Sequence, residues 1–282
     1  MTPHDNNLKT VRYALIRKRN GISNERFRRY WGDVHGPICV ELPGLAAYQQ
    51  FHLGAQQPRL WHVGNDVSMA ASADVQIQGI AECGFNEMHD YEAWVKGAVT
   101  LMDDERNVFS GTYGYYTLDG CSHTPRWASA WEIKGGVHFC VLLRKRAAAE
   151  PEPFKHLVCD ILAPLFARSE EIFGVRHHVF APYEVTKGAW HAGLIDHAIT
   201  DANRYEAALE IVVSSQLALN HIFDGEAYQA TLSAQSALLE AAHAYEIDNA
   251  PILVAQGKST MAGRRGASVA AIIEELGATN VQ

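Results

Sequence analysis

The sequence predicts an α+β fold in which one module of order βαββαβ occurs twice. Two observations support this fold. LIRKR at 15–19 returns as LLRKR at 142–146, and DYEAW at 90–94 resembles DGEAY at 224–228. Strand and helix patterns also follow each other in the same order in both halves. This order is that of the ferredoxin-like unit, whose sheet leaves one apolar face bare, so we expect the two sheets to pair into an α+β barrel.

Residue patterns predict the elements of the first copy. β-Branched and aromatic residues predict four strands, at 11–19, 45–53, 75–85 and 113–118. Ser23 is a suitable N-cap for a helix that should end near residue 35, because Pro37 disfavours helical geometry at the residue before it. Apolar residues at helical spacing predict a second helix within 87–105.

The repeat predicts two domains and the boundary between them. The stretch 120–136 is rich in turn-forming residues and is expected to join the two modules. We predict a first module at 1–122, a second at 123–262, and a linker with a short helix at 263–282. The apolar face of that short helix is expected to dock on a partner chain, which predicts a homodimer.

Composition limits the classes of function. The 282 residues carry a net charge of −8, which disfavours binding to nucleic acid or to anionic membranes. No apolar run approaches the roughly 20 residues that span a bilayer, and MTPHDNNLKT at the N-terminus lacks a signal-peptide pattern. Five scattered cysteines without CxxC pairs are typical of free thiols in a reducing compartment. We expect a cytoplasmic protein that acts on a small molecule.

His35 is the first candidate for chemistry. Phe27, Trp31 and His35 lie at i, i+4 and i+8 of the predicted helix and share one face. The carbonyl end of a helix favours the imidazolium, whereas burial favours the neutral ring. We expect a histidine that titrates near neutrality and serves as a general base. The alternative is a capping histidine bonded to the last carbonyls of its own helix.

The next strand carries three polar residues on one face. Tyr48, Gln50 and His52 alternate along it and should therefore point the same way. Such groups must reach water or line a polar pocket. Tyr48 is predicted to hold a substrate oxygen, His52 to be a second acid or base, and Gln50 and Trp31 to bind substrate. The alternative is a strand end that is exposed to water, with a partly buried Tyr48.

A long connection follows that strand. Segments of more than about 12–15 residues without secondary structure are usually functional or disordered. RLWHVGND at 59–66 contains Trp61, His62 and Asp66, which argue for an ordered lid over the pocket. Asp66 is predicted to orient a histidine, and Trp61 and His62 to contact substrate. A surface loop docked by Trp61 is the alternative.

Neither a metal nor another cofactor is predicted. Fourteen histidines are present, but the sequence contains no HExxH motif and no Cys/His spacing of a zinc site. QGKST at 256–260 lacks the first glycine of a phosphate-binding loop, because Ile252 stands there. The predicted chemistry therefore uses side chains alone.

The first half resembles the EthD family of the dimeric α+β barrel superfamily. The resemblance lies in YALIRKR, ERFRRYWGDVHGP and PGLAAYQQFHL and covers roughly residues 11–120. It implies cofactor-independent chemistry on small, ring-containing or polyketide-like substrates. The second copy has Val158 and Leu162 where the first has Trp31 and His35. One working pocket per chain is therefore expected.

The main prediction is a cofactor-independent lyase. His35 would remove a proton next to a carbonyl or an aromatic ring, and Tyr48, helped by His52 or His62, would stabilise the oxyanion or protonate the leaving group. Isomerisation and cofactor-free monooxygenation of the same substrate class are alternatives. A further alternative is a non-catalytic accessory protein that serves an oxygenase.

Overall fold

Antiparallel strands form the frame of the molecule. The computed structural model describes residues 8–64, 66–73, 75–128, 135–184, 195–200 and 203–276. The strands in these residues are β1 (Thr10–Lys18), β2 (Ala47–Gln56), β3 (Gly79–Phe85), β4 (Phe109–Trp127), β5 (Val137–Lys145), β6 (Ile172–Phe180), β7 (Ala207–Val213), β8 (Leu239–Asn249), β9 (Ile252–Ala255) and β10 (Lys258–Ser259).

Eight helices accompany these strands within the described residues. The first three are each built of several runs: α1 (Asn24–Tyr30, Trp31–His35 and Gly36–Val40), α2 (Met88–Ala98, Val99–Leu101 and Met102–Val108) and α3 (Pro151–His156, Leu157–Leu162 and Ala163–Arg168). The others are α4 (Gln216–Asp224), α5 (Glu226–Gln229), α6 (Leu232–Leu238), α7 (Met261–Arg265) and α8 (Ala267–Glu275). A short 3₁₀ turn, Pro58–Leu60, follows β2.

The sheet closes on itself. Its strand order is β10-β9-β2-β3-β1-β4-β6-β7-β5-β8, and β8 also pairs with β2. Every named ladder is antiparallel. Eight strands, β1 to β8, therefore form a closed antiparallel barrel with helices outside it. This confirms the predicted α+β class and the barrel.

The two halves repeat the same order of elements. β1 and β5, the first strands of the halves, start at Thr10 and Val137, at the spacing that the sequence repeat predicts. Each is followed by a helix, two strands, a further helical segment and a strand. The boundary between the copies is less abrupt than predicted, because β4 continues to Trp127 through the start of the turn-rich stretch. The domain bounds at 122 and 262 stay a prediction.

Helix α1 does not end near residue 35 as predicted, but continues to Val40. Its residues Trp31–His35 form a π-helical turn, in which the N–H of Gly36 bonds the carbonyl of Trp31. Proline has no N–H, and its ring clashes with the carbonyl four residues earlier in a regular helix. The wider turn accommodates Pro37, so the helix passes through it. Helix α3 has the same kind of turn, at Leu157–Leu162, before Pro164.

The C-terminal helices pack on their own chain. Ser268 donates from its backbone N–H and from its hydroxyl to the two carboxylate oxygens of Asp33, at 2.8 and 2.6 Å. The predicted tail is thus docked on α1. Val269 and Ile272 on α8, and Leu276 directly after it, remain exposed. The predicted homodimer is untested and stays a prediction.

Buried apolar residues form three clusters. One lies between the first-half strands and helices α1 and α2, one lies in the second half, and the third fills the barrel lumen around Tyr13, Phe51 and Tyr115. Within the described residues, none of the helices has both the length and the hydropathy needed to cross a bilayer. The cluster between α1, α2 and the sheet contains the candidate site.

Candidate active site

A small cavity lies between the first-half sheet and helices α1 and α2. Its volume is about 30 Å³, enough for one or two water molecules in this conformation. The residues that matter for chemistry or shape along its wall are Trp31, His35, Cys39, Tyr48, Trp94, Leu101, Glu105, Phe109 and Thr112. Polar groups therefore enter an otherwise apolar space, as in most small-molecule sites.

His35 is fixed at both ring nitrogens. Nδ1 lies 2.7 Å from Oδ2 of Asp104, and Nε2 lies 3.2 Å from the sulfur of Cys39. Burial alone would lower the pKa of His35, but the Cys39 sulfur and the Asp104 carboxylate outweigh it and raise the pKa to about 10. The ring is therefore an imidazolium near neutral pH, with Nε2–H directed toward Cys39.

Asp104 is held as a carboxylate. Tyr30 donates its hydroxyl to Oδ1 at 2.5 Å, and Asn107 donates to the Tyr30 oxygen at 3.1 Å. Burial raises the pKa of Asp104, but the hydrogen bonds from His35 and Tyr30 more than offset this and leave the pKa below its usual value. Asp104 and His35 are thus an ion pair, which the sequence analysis did not foresee.

A polar chain leads from Cys39 to the strand β2. The Tyr48 hydroxyl interacts with the Cys39 sulfur and accepts a hydrogen bond from Nε2 of Gln50 at 2.9 Å. Gln50 also donates to the carbonyl of Trp31 at 3.0 Å, within the π turn. Burial, followed by the electrostatic influence of Cys39, raises the pKa of Tyr48 well above its usual value. Tyr48 therefore stays protonated and can donate its hydroxyl.

His52 ends this chain behind the cavity wall. Its Nε2 lies 3.0 Å from Oε1 of Gln50, an oxygen that can only accept, so Nε2 carries the proton. Its ring stacks on Trp31 with 4.9 Å between centroids. Burial and the nearby Arg28 lower the pKa of His52 to about 4. The structure thus makes His52 a neutral support for Trp31.

The structure brings five of the eight predicted site residues together. They are Trp31, His35, Tyr48, Gln50 and His52. The predicted shared face of Tyr48, Gln50 and His52 exists, because all three contact α1 or each other. Gln50 and His52 lie outside the cavity wall, so their direct contact with substrate stays a prediction.

The other three predicted residues lie against the second half. Trp61 packs on Phe166, Phe223 and Tyr228 and donates to Gln235 at 3.2 Å. The carbonyl of His62 accepts from Tyr228 at 2.6 Å. Asp66 pairs with Arg146 at 2.6 Å. The predicted lid over the His35 pocket is thus not formed, because the apolar ring of Trp61 is buried in the second-half core.

Glu105 is a second functional candidate that sequence reasoning missed. It is 9% exposed and lines the cavity one helical turn after Leu101. Burial raises its pKa, although His35 and Arg12 pull it down. The signal was the run MDDER, which places two carboxylates at 104 and 105 within a helix that has an apolar stripe. Cys39 was missed because the helix was expected to end before it.

Within the described part of the chain, no group of three or more His, Cys, Asp or Glu side chains is arranged to hold a metal ion. The ligand-type side chains of the site are instead bonded to each other. His35 uses one nitrogen for Asp104 and the other for Cys39. The predicted independence from cofactors stays a prediction.

Comparison with known proteins yields structural similarity only. No family model matches the chain, and no curated protein matches it in sequence. Consequently, the resemblance to the EthD family stays a prediction.

Solved structures that resemble the fold include the following three proteins. Two are putative monooxygenases. The one from Lactobacillus acidophilus NCFM has 10% identity and a TM-score of 0.47 over 89% of this chain and 97% of the other. The one from Fusobacterium nucleatum subsp. nucleatum ATCC 25586 has 8% identity and a TM-score of 0.49 over 90% of this chain and 97% of the other. The third, an anthrone oxidase-like protein, has 10% identity and a TM-score of 0.48 over 89% and 95%. All three scores are below 0.5, and the function proposed below rests on the site.

Proposed function

We propose that this protein is a cofactor-independent monooxygenase that stabilises the anion of a small, acidic, apolar substrate and lets it react with dioxygen. The substrate class is a phenol, or a carbonyl compound with an acidic C–H. The observation that carries the proposal is the His35 ring beside an apolar cavity, with its Nδ1 2.7 Å from the Asp104 carboxylate.

A fixed N–H donor of this kind stabilises an oxyanion. In a cavity that excludes water, a donor that is already oriented stabilises developing negative charge without reorganisation. The Nε2–H of His35 and the hydroxyl of Tyr48 both lie at the Cys39 sulfur, on the cavity wall. An enolate or phenolate oxygen that accepts from both donors has to replace the Cys39 sulfur as their partner, which requires the Cys39 side chain to rotate away.

Elimination, the main prediction from the sequence, receives no support. It required His35 to be a free base near neutrality, and the ion pair with Asp104 makes it an imidazolium instead. An imidazolium fits reactions in which the substrate itself is the electron-rich anion. Isomerisation through an enolate remains compatible with the same donors, and oxygen consumption separates the two.

The oxygenation balances without a further oxidant. The substrate carbanion forms a C–O bond with dioxygen, and the resulting peroxide takes up a proton. Loss of water then breaks the O–O bond and leaves a carbonyl, so that one methylene group and one dioxygen molecule give one carbonyl group and one water molecule. The residues of this chain have to bind and orient the anion and move the proton.

Substrate entry requires the cavity to widen. A volume of about 30 Å³ holds one or two water molecules and is too small for a ring-containing substrate. Leu101 lines the cavity at the end of the 3₁₀ turn Val99–Leu101, which interrupts α2, and such mid-helix turns often mark hinges. We propose that α2 opens at this turn.

Oxygen consumption tests the proposal. A panel of small phenols and cyclic 1,3-diketones is incubated with protein dialysed against a chelator, and dissolved oxygen is followed by electrode. We expect one dioxygen molecule consumed per carbonyl formed, and a loss of about 10²–10³-fold in kcat for His35→Gln, the cost of an oxyanion donor.

His156→Gln is the matched control, because His156 is exposed on α3 and pairs with the exposed Asp160. Its oxygen consumption should equal that of the wild type. Product formation without oxygen uptake would favour an isomerase. Ligand binding without turnover, unaffected by His35→Gln, would favour the accessory role.

We further propose that the two halves are diverged ferredoxin-like copies and that the first belongs with EthD-type barrels. The repeated element order and the shared π turns before Pro37 and Pro164 support a common origin. The first copy alone combines Trp31 with His35, which supports one site per chain.

A further inference from the structure

We propose that Glu105 is the general base of this site: its carboxylate takes the proton from the acidic C–H or O–H of the substrate whose anion His35 stabilises. The inference rests on the proposed function and names the group that generates the anion. It also assigns the role of base, which the sequence predicted for His35, to a second residue.

The position of Glu105 suits a base. Glu105 and Leu101 lie four residues apart on α2, so both face the same cavity, which His35 on α1 also lines. Arg12 on β1, Thr112 on β4 and Trp31 on α1 are among the other residues that line it. A substrate in this space would therefore lie between a carboxylate and an imidazolium.

The carboxylate of Glu105 is free to accept a proton. Within the described residues, it has neither a hydrogen bond nor an ion pair, although it is more than nine-tenths buried. The other buried glutamates are bonded: Glu82 pairs with Arg176 at 2.6 Å, and Glu210 pairs with His138 at 2.8 Å. Burial disfavours the ionised form of this carboxylate, and its oxygens are available to a substrate in the cavity that Glu105 lines.

Neighbouring charges and burial act on the pKa of Glu105 in opposite directions. Arg12 on β1, His35 on α1 and His197 stabilise the ionised form, whereas Asp104 on the same helix opposes it. Burial exceeds the positive contributions and raises the pKa of Glu105. A carboxylate with a raised pKa is a more effective base near neutrality. The environment of His35 favours its charged form, whereas burial of Glu105 disfavours its charged form. Two titratable groups whose surroundings act on them differently in one site indicate separate acid–base roles.

The proton transfer balances as follows. The C–H bond breaks, its electron pair stays on the substrate, and the proton forms an O–H bond on Glu105. The new oxyanion accepts a hydrogen bond from His35, which keeps its own proton. In heavy water the proton on Glu105 is replaced by a deuteron from the solvent, and the reverse transfer then places deuterium on carbon. Exchange therefore reports the step without dioxygen.

Hydrogen–deuterium exchange of nitroethane tests the base. Nitroethane is a small carbon acid whose nitronate resembles an enolate, and proton NMR in heavy water without oxygen follows loss of its methylene signal. We expect the wild type to accelerate exchange and Glu105→Gln to lower that acceleration about 10²–10⁴-fold, the usual contribution of a general base. Glu92→Gln, an exposed change on the same helix, should have no effect.

Two further readouts exclude a merely structural role. Glu105→Asp, which keeps a carboxylate, should retain part of the exchange rate. The wild-type rate should rise with pH as Glu105 ionises, and this limb should be missing from Glu105→Gln. If a folded Glu105→Gln protein exchanged nitroethane at the same rate as the wild type, the inference would be overturned. No exchange in the wild type would overturn the proposed function as well, whereas exchange without aerobic oxygen uptake would contradict oxygenation alone.

Discussion

At the residue scale, the site depends on two groups with opposite charge preferences. His35 is buried yet charged, because Asp104 and Cys39 contact its two nitrogens at 2.7 and 3.2 Å. Glu105 is buried and lacks such partners among the described residues, so burial raises its pKa. The first group is suited to stabilise an anion and the second to accept a proton.

At the element scale, the π turn of α1 determines where the site residues lie. The extra residue at Trp31–His35 carries the helix through Pro37, so that Cys39 follows His35 by one turn of the same helix. The carbonyl of Trp31 then accepts from both Gly36 and Gln50, which ties α1 to β2. Helix and strand are thereby held in the register that joins His35 to Tyr48.

Gly79 on β3 tests this arrangement. A Cβ at this position would lie 2.7 Å from Cη2 of Trp31, so Gly79→Ala should displace the indole from its stack on His52. We expect a loss of about 1–3 kcal/mol in the free energy of unfolding, the usual cost of overpacking, measured by urea denaturation. Gly225→Ala, whose Cβ would meet only carbonyl oxygens at 3.3 and 3.5 Å, should change it by less than about 1 kcal/mol. Equal effects would show that Trp31 has room to move.

Alternation along strands was predictable from sequence, whereas partners across the fold were not. Period-two spacing correctly placed Tyr48, Gln50 and His52 on one face. The helix end was predicted from Pro37 alone, and the π turn overrode that local signal. Asp104 is 69 residues from His35, and no local pattern encodes their contact. The prediction that His35 titrates near neutrality was wrong, because it did not include this contact with Asp104.

At the scale of the whole molecule, buried charges connect the two halves. Glu82 on β3 and Arg176 on β6 face each other at 2.6 Å and are 4% and 2% exposed in their side chains. His178 approaches the same carboxylate at 3.4 Å. These groups lie among the apolar residues of the lumen, so the halves share one buried electrostatic contact as well as the closed sheet.

This pair should behave as a unit. Glu82→Gln should lower the free energy of unfolding by about 3–5 kcal/mol, because it removes the buried carboxylate that Arg176 contacts at 2.6 Å. Replacing both residues by Met should cost less than the sum of the single changes, as determined by a double-mutant cycle in denaturant. Lys9→Met, which removes the exposed pair with Glu87, should cost less than about 1 kcal/mol. Additive single changes would contradict the coupling.

The protonation state of His35 tests the central claim most directly. Nitrogen-15 NMR of the histidine side chains, followed from about pH 5 to 11, distinguishes the imidazolium from the neutral ring. We predict that His35 stays doubly protonated through neutrality and loses its proton only near the pKa of about 10. Asp104→Asn should move that titration to lower pH, because it removes the carboxylate at Nδ1. A wild-type His35 that is neutral at pH 7, or that titrates identically in Asp104→Asn, would contradict the account.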